Sequence, residues 1–132
     1  MMVLLDTSVI IDAINERRGR RLWVRNLAIR GDTLACCAIN VTEVYANVFP
    51  EEEEVTSRVF HGLECIEVGR DLAERAGRLK FEWERRGQTL SVPDVIIAAA
   101  ALTYGLTLAT DNRKHFPMPD LRFLDLPADK AQ

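Results

Sequence analysis

The sequence has only three cysteines, Cys36, Cys37 and Cys65, and it contains no CxxC pair. Three thiols cannot all form disulfides with one another, and their spacing is not typical of a zinc site. We therefore expect reduced cysteines that lie in the core of the protein. Reduced thiols indicate a cytoplasmic location.

The chain also lacks a hydrophobic run long enough for a membrane. The longest apolar stretch, residues 95–109, is broken by polar residues and a glycine, and it is shorter than the ~20 residues that a span needs. Residues 1–5 lead directly into Asp6 without the basic segment that opens a signal peptide. We expect no contact with a membrane.

An excess of positive charge is missing too. The chain has 17 lysines and arginines and 20 acidic residues, which gives a net charge of −3. A protein that coats DNA through its overall charge is therefore not indicated. The charge is uneven, however, because six arginines crowd residues 17–30 and four glutamates fill residues 51–54. Both groups are either solvated helix faces or, for the arginines, a basic face beside a nucleic-acid-cleaving site.

Motifs for nucleophilic catalysis and for phosphate cradles are absent as well. A catalytic triad with either histidine, His61 or His115, would need a nucleophile motif such as GxSxG, and the sequence has none. We therefore expect both histidines in surface or core packing. No glycine-rich loop of the P-loop or dinucleotide-binding type occurs.

What the sequence does contain is an alternation of short apolar runs with helical patterns, which predicts an α/β fold with a parallel sheet covered by helices on both faces. At 132 residues, one domain spanning the whole chain is expected. Strands are predicted at residues 3–5, 33–38, 65–68 and 107–109, with an edge strand at 121–124. Helices are predicted around residues 9–14 and 22–29, around Glu43 with Asn40 or Thr42 as cap, from Pro50 to about His61, from Asp71 to about Arg86, and from Pro93 to Gly105. Disorder is expected only for residues 128–132.

Four acidic residues stand where an alternating fold places functional groups: Asp6, Glu43, Asp94 and Asp111. Each lies beside an apolar run or a helix start, where an unpaired buried carboxylate would be very costly. No basic residue is obviously placed to pair with them. A divalent cation such as Mg²⁺ or Mn²⁺, which prefers oxygen ligands, would supply the missing positive charge.

These acids are expected to meet at one edge of the sheet. Asp6 and Asp111 follow predicted strands, and functional groups of parallel sheets gather at the carboxyl ends of strands. Glu43 and Asp94 fall in the first turns of helices, where the partial positive charge stabilises a carboxylate. Two divalent ions held there would support hydrolysis of a phosphodiester bond.

Neutral oxygen donors and two cations stand next to the acids. Thr7, Ser8, Thr110 and Asn112 are candidates to orient ligands or water molecules from behind the acids. For Thr7 and Ser8, helix capping is an equally good interpretation. Arg113 and Lys114 are either contacts for the substrate backbone or solvated loop charges.

Four segments, LLDTSVIID at residues 4–12, NVTEV at 40–44, VPDVIIAA at 92–99 and LATDNRKHF at 108–116, carry a resemblance to a known family. In this order and in a chain of this length, they resemble the PIN-domain ribonucleases, and specifically the VapC toxins of toxin–antitoxin pairs. Asp-Thr-Ser alone is common, so it is the set of four that makes the match specific.

The resemblance implies a single PIN domain over residues 1–132 with a Rossmann-like sheet. It also implies an endoribonuclease that cleaves RNA, often tRNA or rRNA, with Mg²⁺ or Mn²⁺, that forms a homodimer and that a VapB-type antitoxin silences. Asp6, Glu43 and Asp94 match the core ligands, while either Asp111 or Asn112 matches the fourth. The alternatives are a housekeeping RNA-processing nuclease of the same fold and a non-catalytic binding module. The helix pair around Trp23 and residues 44–49 is hypothesised to form the dimer or antitoxin groove.

Overall fold

The computed structural model describes residues 1–127, and within them five strands form one parallel sheet with the order β3-β2-β1-β4-β5. The strands are β1 (Met2–Leu5), β2 (Thr33–Cys37), β3 (Glu64–Ile66), β4 (Thr107–Ala109) and β5 (Arg122–Phe123). The helices are α1 (Thr7–Ile14), α2 (Arg20–Ile29), α3 (Ala38–Tyr45), α4 (Glu53–His61), α5 (Arg70–Arg85) and α6 (Val92–Tyr104). None of these helices is long and apolar enough to cross a membrane. The disorder predicted for residues 128–132 lies outside the described residues.

The sheet separates two hydrophobic cores. Side chains of a strand alternate between its faces, so Leu4 packs with α5 and α6 while Val3 and Leu5 pack with α1 and α2. The alanines at 98–101 in α6 are at most 2% exposed, and their small side chains let this helix lie close to the sheet. The predicted α/β class, with a parallel sheet covered on both faces, is confirmed.

The candidate site lies at the point in the sheet where the order of the strands reverses. Strand β1 is central, with β2 on one side and β4 on the other, and Leu5 is in register with Ala109. The connections that leave β1 and β4 diverge at this point, which opens a crevice at the carboxyl ends of the two strands. Asp6 directly follows the end of β1, and Asp111 is the second residue after the end of β4.

Several helix starts differ from the prediction, and those of α3, α4 and α6 bear on the N-terminal residues that were predicted. Helix α3 begins at Ala38 with Cys37 as its N-cap, so neither Asn40 nor Thr42 is the cap; Asn40 instead accepts the Cys37 N–H through Oδ1 at 2.7 Å from inside the first turn. Pro50 opens a 3₁₀ turn, and α4 starts only at Glu53. Helix α6 begins one residue before Pro93, and Ser91 caps it.

The cysteines only partly follow the expectation. All three are free thiols, and Cys36 and Cys37 are buried, but Cys65 is exposed because it lies on the edge strand β3. The prediction of a core position was therefore wrong for Cys65. Burial, together with the neighbouring Cys65, raises the pKa of Cys36 to about 12, which keeps this thiol protonated and unreactive.

Candidate active site

Asp6 is the most deeply placed acid of the site. It is 6% exposed and caps α1, with Oδ1 accepting the Thr7 N–H at 2.8 Å and Oδ2 accepting the Thr110 hydroxyl at 2.7 Å. Burial raises the pKa of Asp6; the hydrogen bonds from Thr110 and Thr7 oppose this rise, and the negative charges of Asp94 and Asp111 add to it. The structure therefore brings two of the other three predicted acids, Asp94 and Asp111, into electrostatic range of Asp6.

Glu43 joins this group through Thr7. The Thr7 hydroxyl donates to Glu43 Oε1 at 2.7 Å and accepts a hydrogen bond of 2.9 Å from Nδ2 of Asn40, which is fully buried. Asn40 and Glu43 are three residues apart and share one face of α3. The cap of α1 is Asp6, so the capping role considered for Thr7 is not the one observed, and its side chain orients Glu43 instead.

We expect Thr7→Val to lower activity about 10–100-fold, the range for losing a group that orients a metal ligand. The change frees the Glu43 carboxylate and leaves the buried Asn40 amide without its acceptor, which costs roughly 1–3 kcal/mol of stability. Thr7→Ser keeps the hydroxyl and restores activity, and Thr42→Val, on an exposed position of α3, is the matched control. RNA cleavage rates and melting curves measure both effects; equal rates for Thr7→Val and Thr42→Val would refute the role of the hydroxyl.

Asp94 lies in the first turn of α6 and its side chain is 21% exposed. Its Oδ2 is 3.5 Å from Nδ1 of His115, which stands on the 3₁₀ turn Arg113–His115. His115 is half exposed, so it is neither in the core nor remote from the acids. The structure places this histidine at the rim of the candidate site.

Asp111 is paired with arginine, which the sequence did not predict. Arg20, whose side chain is 1% exposed, donates from Nη2 to Oδ1 at 2.8 Å and from Nη1 to Oδ2 at 3.2 Å. Arg18 lies 3.1 Å from Oδ1, and the Ser8 hydroxyl donates to Oδ2 at 3.2 Å. The expectation that no basic residue pairs with the acids was therefore wrong for Asp111, and Arg20 is not on a solvated helix face.

Burial of Asp111 acts to raise its pKa, but the hydrogen bonds and charge of Arg20, with the charge of Arg18 and the hydrogen bond from Ser8, outweigh it. The pKa of Asp111 is thus held below its ordinary value, whereas that of Asp6 is raised. The two aspartates that follow β1 and β4 have opposite electrostatic surroundings.

The comparisons with known proteins agree with this geometry. The chain matches the PIN domain family over residues 3–120. It belongs to this family. The PIN domain is 28% identical over 122 residues to Ribonuclease VapC19 of Mycobacterium tuberculosis, covering 92% of this chain and 98% of that protein.

Solved structures give the same result for the fold. VapBC2 from Rickettsia felis, crystallised with a DNA fragment from the promoter, superposes with a TM-score of 0.83 at 25% identity, over 96% of this chain and 100% of that one. A toxin–antitoxin complex from Klebsiella pneumoniae gives 0.72 at 28% identity, over 89% and 92%. The predicted relation to PIN-domain ribonucleases of the VapC type is confirmed.

The remaining predicted residues of this PIN domain occupy mixed positions. Thr110 is buried and bridges the Asp6 carboxylate to the Asn112 N–H, which donates to its hydroxyl at 3.0 Å. Arg113 turns away toward Asp125, at 2.6 Å, and stacks on Phe123. Lys114 is exposed. Contact of Arg113 and Lys114 with RNA stays a prediction.

Sequence reasoning missed Arg20 and Asn40 as parts of the site. Asn40 left a signal, because it is a polar residue within an apolar stretch and stands three positions before Glu43. Arg20 left none, since it is one of six arginines in a short segment and nothing local distinguishes a buried one.

The donor chemistry of the acids fits a hard divalent cation. Among residues 1–127, no three histidine, cysteine or acidic side chains are arranged to hold one ion as they stand. The charge of Asp94, however, contributes to the raised pKa of Asp6, and a cation between the two would relieve that repulsion. Glu43 is held beside Asp6 by Thr7 and offers a third carboxylate, so these oxygens are suitable ligands once a cation draws them together.

Proposed function

We propose that this PIN domain is a metal-dependent endoribonuclease that acts as the toxin of a VapBC-type toxin–antitoxin pair. The observation that carries the proposal is the meeting of Asp6 and Asp94 at the sheet crevice, with Glu43 oriented beside them. The VapC ribonucleases among its relatives and the VapBC complexes among its structural neighbours support the ribonuclease and toxin assignments.

Asp6, Glu43 and Asp94 are the residues that would hold Mg²⁺ or Mn²⁺. The ion would activate water and stabilise charge on the phosphate during phosphodiester hydrolysis. Thr7 and Thr110 fix the two oxygens of Asp6, and Thr7 also orients Glu43, so these carboxylates are aligned before substrate arrives. The fourth ligand stays a prediction, with Asp111 and Asn112 as alternatives.

The substrate is proposed to be RNA, with tRNA or rRNA as the expected classes. Lys114 is exposed on the 3₁₀ turn that carries His115 to the rim of the site, where its charge can contact the RNA backbone. Arg113 is a weaker candidate because Asp125 already engages it. Action on cellular RNA places the toxin in the cytoplasm.

Cleavage of total cellular RNA tests the nuclease. The purified, antitoxin-free chain is incubated with Mg²⁺, with Mn²⁺ and with a chelator, and the products are mapped by sequencing of the new ends. Discrete cuts that require metal are expected, and their positions identify the target. A folded sample that cuts no RNA under any condition would favour the non-catalytic binding module.

Expression in cells distinguishes a toxin role from a housekeeping role. A toxin is expected to arrest growth on expression, and co-expression of an antitoxin gene adjacent to its own is expected to restore growth. Cells that grow normally while the protein cleaves RNA would favour the processing nuclease. The proposed homodimer is checked on the same protein by light scattering.

The partner surface is proposed to be the groove between α1, α3 and α4, which includes part of the hypothesised segment 44–49 but is not lined by Trp23. Apolar side chains of Ile11, Ile14, Val44 and Val48 line it together with Asn15, Asn47, Glu52 and Thr56. Phe49, 66% exposed, lies in the segment after α3 that joins this groove, and Tyr45 stacks on Phe60 at 5.7 Å nearby. An apolar partner helix of the VapB type would cover this surface.

We expect Phe49→Asp to weaken binding of the antitoxin at least about tenfold, as for loss of an aromatic anchor at an interface. The cost to folding is small because the side chain is already exposed. Phe81→Asp, at a residue on α5 that is 62% exposed, is the matched control. Calorimetric titration with the antitoxin measures the binding affinity of each variant. If Phe81→Asp weakens binding and Phe49→Asp does not, the antitoxin binds on the side of the sheet that α5 covers.

A further inference from the structure

Arg20 is the largest fully buried side chain among residues 1–127, and it is charged. Its guanidinium faces both oxygens of Asp111, in the bidentate geometry that arginine forms with carboxylates. With Arg18 on Oδ1 and Ser8 on Oδ2, each oxygen has two donors. An ionised carboxylate has about four acceptor positions, so Asp111 is saturated by the protein itself.

The segment that delivers these arginines is strained. Glu16 and Arg18, between α1 and α2, have φ values of 54° and 57°, in the left-handed region that residues other than glycine rarely adopt, while Gly19 adopts its φ of 67° without strain. The buried Nε of Arg20 also has no hydrogen-bond partner within the described part of the chain. A solvated arginine on a helix would need neither feature, and strain of this kind is a feature of functional sites.

The other acids contrast with Asp111. Within residues 1–127, Asp6 and Glu43 accept hydrogen bonds only from neutral groups, namely the Thr110 hydroxyl and the N–H and hydroxyl of Thr7. Asp94 faces His115 at 3.5 Å and its side chain is partly open to solvent. These three carboxylates therefore keep acceptor positions for a cation, while Asp111 does not.

Building on the proposed function, we propose that Arg20 is a positioning residue that withholds Asp111 from the metal, so that the chain binds one divalent ion through Asp6, Glu43 and Asp94. The buried guanidinium cannot leave easily, because its side chain is enclosed and both of its terminal nitrogens are engaged. Asp111 then fixes the wall of the crevice and contributes no ligand.

Titration of the full-length, antitoxin-free chain with Mn²⁺ tests this. Calorimetry is expected to give one ion per chain for the wild type. In Arg20→Met the released Asp111 adds a ligand and a nearby positive charge is lost, so the first ion binds about tenfold tighter or a second ion appears. RNA cleavage by the same variant falls because the crevice is no longer fixed. Tighter metal binding with lower activity is not the result of general destabilisation, which would weaken both.

Three further variants complete the test. Arg20→Lys keeps the charge with a single contact, and its Mn²⁺ affinity and RNA cleavage are expected to lie between those of the wild type and Arg20→Met. If circular dichroism shows that Arg20→Met is unfolded, Arg20→Lys provides the test instead. Arg21→Met removes a neighbouring arginine of α2 that bonds the Ala13 and Ile14 carbonyls, and Mn²⁺ binding should not change. Adding Asp111→Asn to Arg20→Met should abolish the gain.

Two ions per wild-type chain, or parallel loss of Mn²⁺ binding and activity in both folded Arg20 variants, would overturn the role of Arg20 while leaving the nuclease intact. A wild type that binds no Mn²⁺ and cleaves no RNA would overturn the proposed function together with this inference. The experiment therefore distinguishes a failure of the role proposed for Arg20 from a failure of the proposed function.

Discussion

Asp6→Asn and Asp94→Asn are each expected to lower RNA cleavage by at least about 100-fold, the upper end of the loss seen when only a group behind a metal ligand is removed. Each replaces a charged oxygen donor by a neutral amide of nearly the same shape. The fold should persist, because an amide can still accept the Thr7 N–H at Asp6, and the Asp94 side chain is partly exposed. Cleavage rates at saturating Mn²⁺, with melting curves on the same samples, measure both quantities.

The control for Asp94→Asn is Asp71→Asn. Asp71 occupies the first turn of α5 as Asp94 occupies that of α6. Asp71 is exposed, however, and its helix follows the edge strand β3 in the chain. Both substitutions remove the same favourable interaction with a helix N-terminus, so their effects on stability should be alike. If Asp71→Asn lowered cleavage as much as Asp94→Asn, the effect would come from helix capping and Asp94 would not be a metal ligand.

The positions of Asp6, Asp94 and Asp111 near the ends of elements were predictable because they depend on local patterns. The first-turn position predicted for Glu43 was wrong, because α3 begins at Ala38 and Glu43 is its sixth residue. A short apolar run followed by Asp6 and a helical pattern defines strand β1 and helix α1, which lie between Met2 and Ile14 with Asp6 as the one residue between them. The parallel sheet follows from the alternation of such units, and its crevice follows from the strand order. The edge strand β5 was predictable in the same way, although it is shorter than the pattern indicated.

The contacts between these elements could not be predicted. The pairing of Arg20 with Asp111 spans 91 residues, and that of Thr7 with Glu43 spans 36. A run of arginines has the same local pattern whether one side chain is buried or all are solvated, since the difference arises only when a carboxylate from another element stands opposite. The exposure of Cys65 likewise depends on β3 being the last strand of the sheet, a property of strand order and not of the residues around it.

Asp111→Asn is expected to be the most destabilising of the aspartate substitutions. It leaves the Arg20 guanidinium buried without its counter-charge, and breaking a buried pair from one side costs about 3 kcal/mol or more. We take the low end because the Asp111 side chain is 19% exposed and an amide keeps one acceptor. Tm should fall by about 10 °C for a chain of this size. Asp111→Asn combined with Arg20→Met removes both charges and should recover most of the loss; a double variant less stable than Asp111→Asn would show that the pair is not the cause.

The pH dependence of the metal-free protein should separate Asp111 from Asp6. Because the pKa of Asp111 is lowered by folding, its stabilising contribution is present above its unfolded pKa and is lost as pH falls through the folded value. Because the pKa of Asp6 is raised, its contribution is present below its unfolded pKa and is lost as pH rises through the folded value, so ionised Asp6 costs stability at neutral pH. In chelator at pH 7, Asp6→Asn should therefore raise Tm while Asp111→Asn lowers it. With Mn²⁺ added, the wild type should gain stability and Asp6→Asn should not, since the cation then supplies the charge that burial and the neighbouring acids demand.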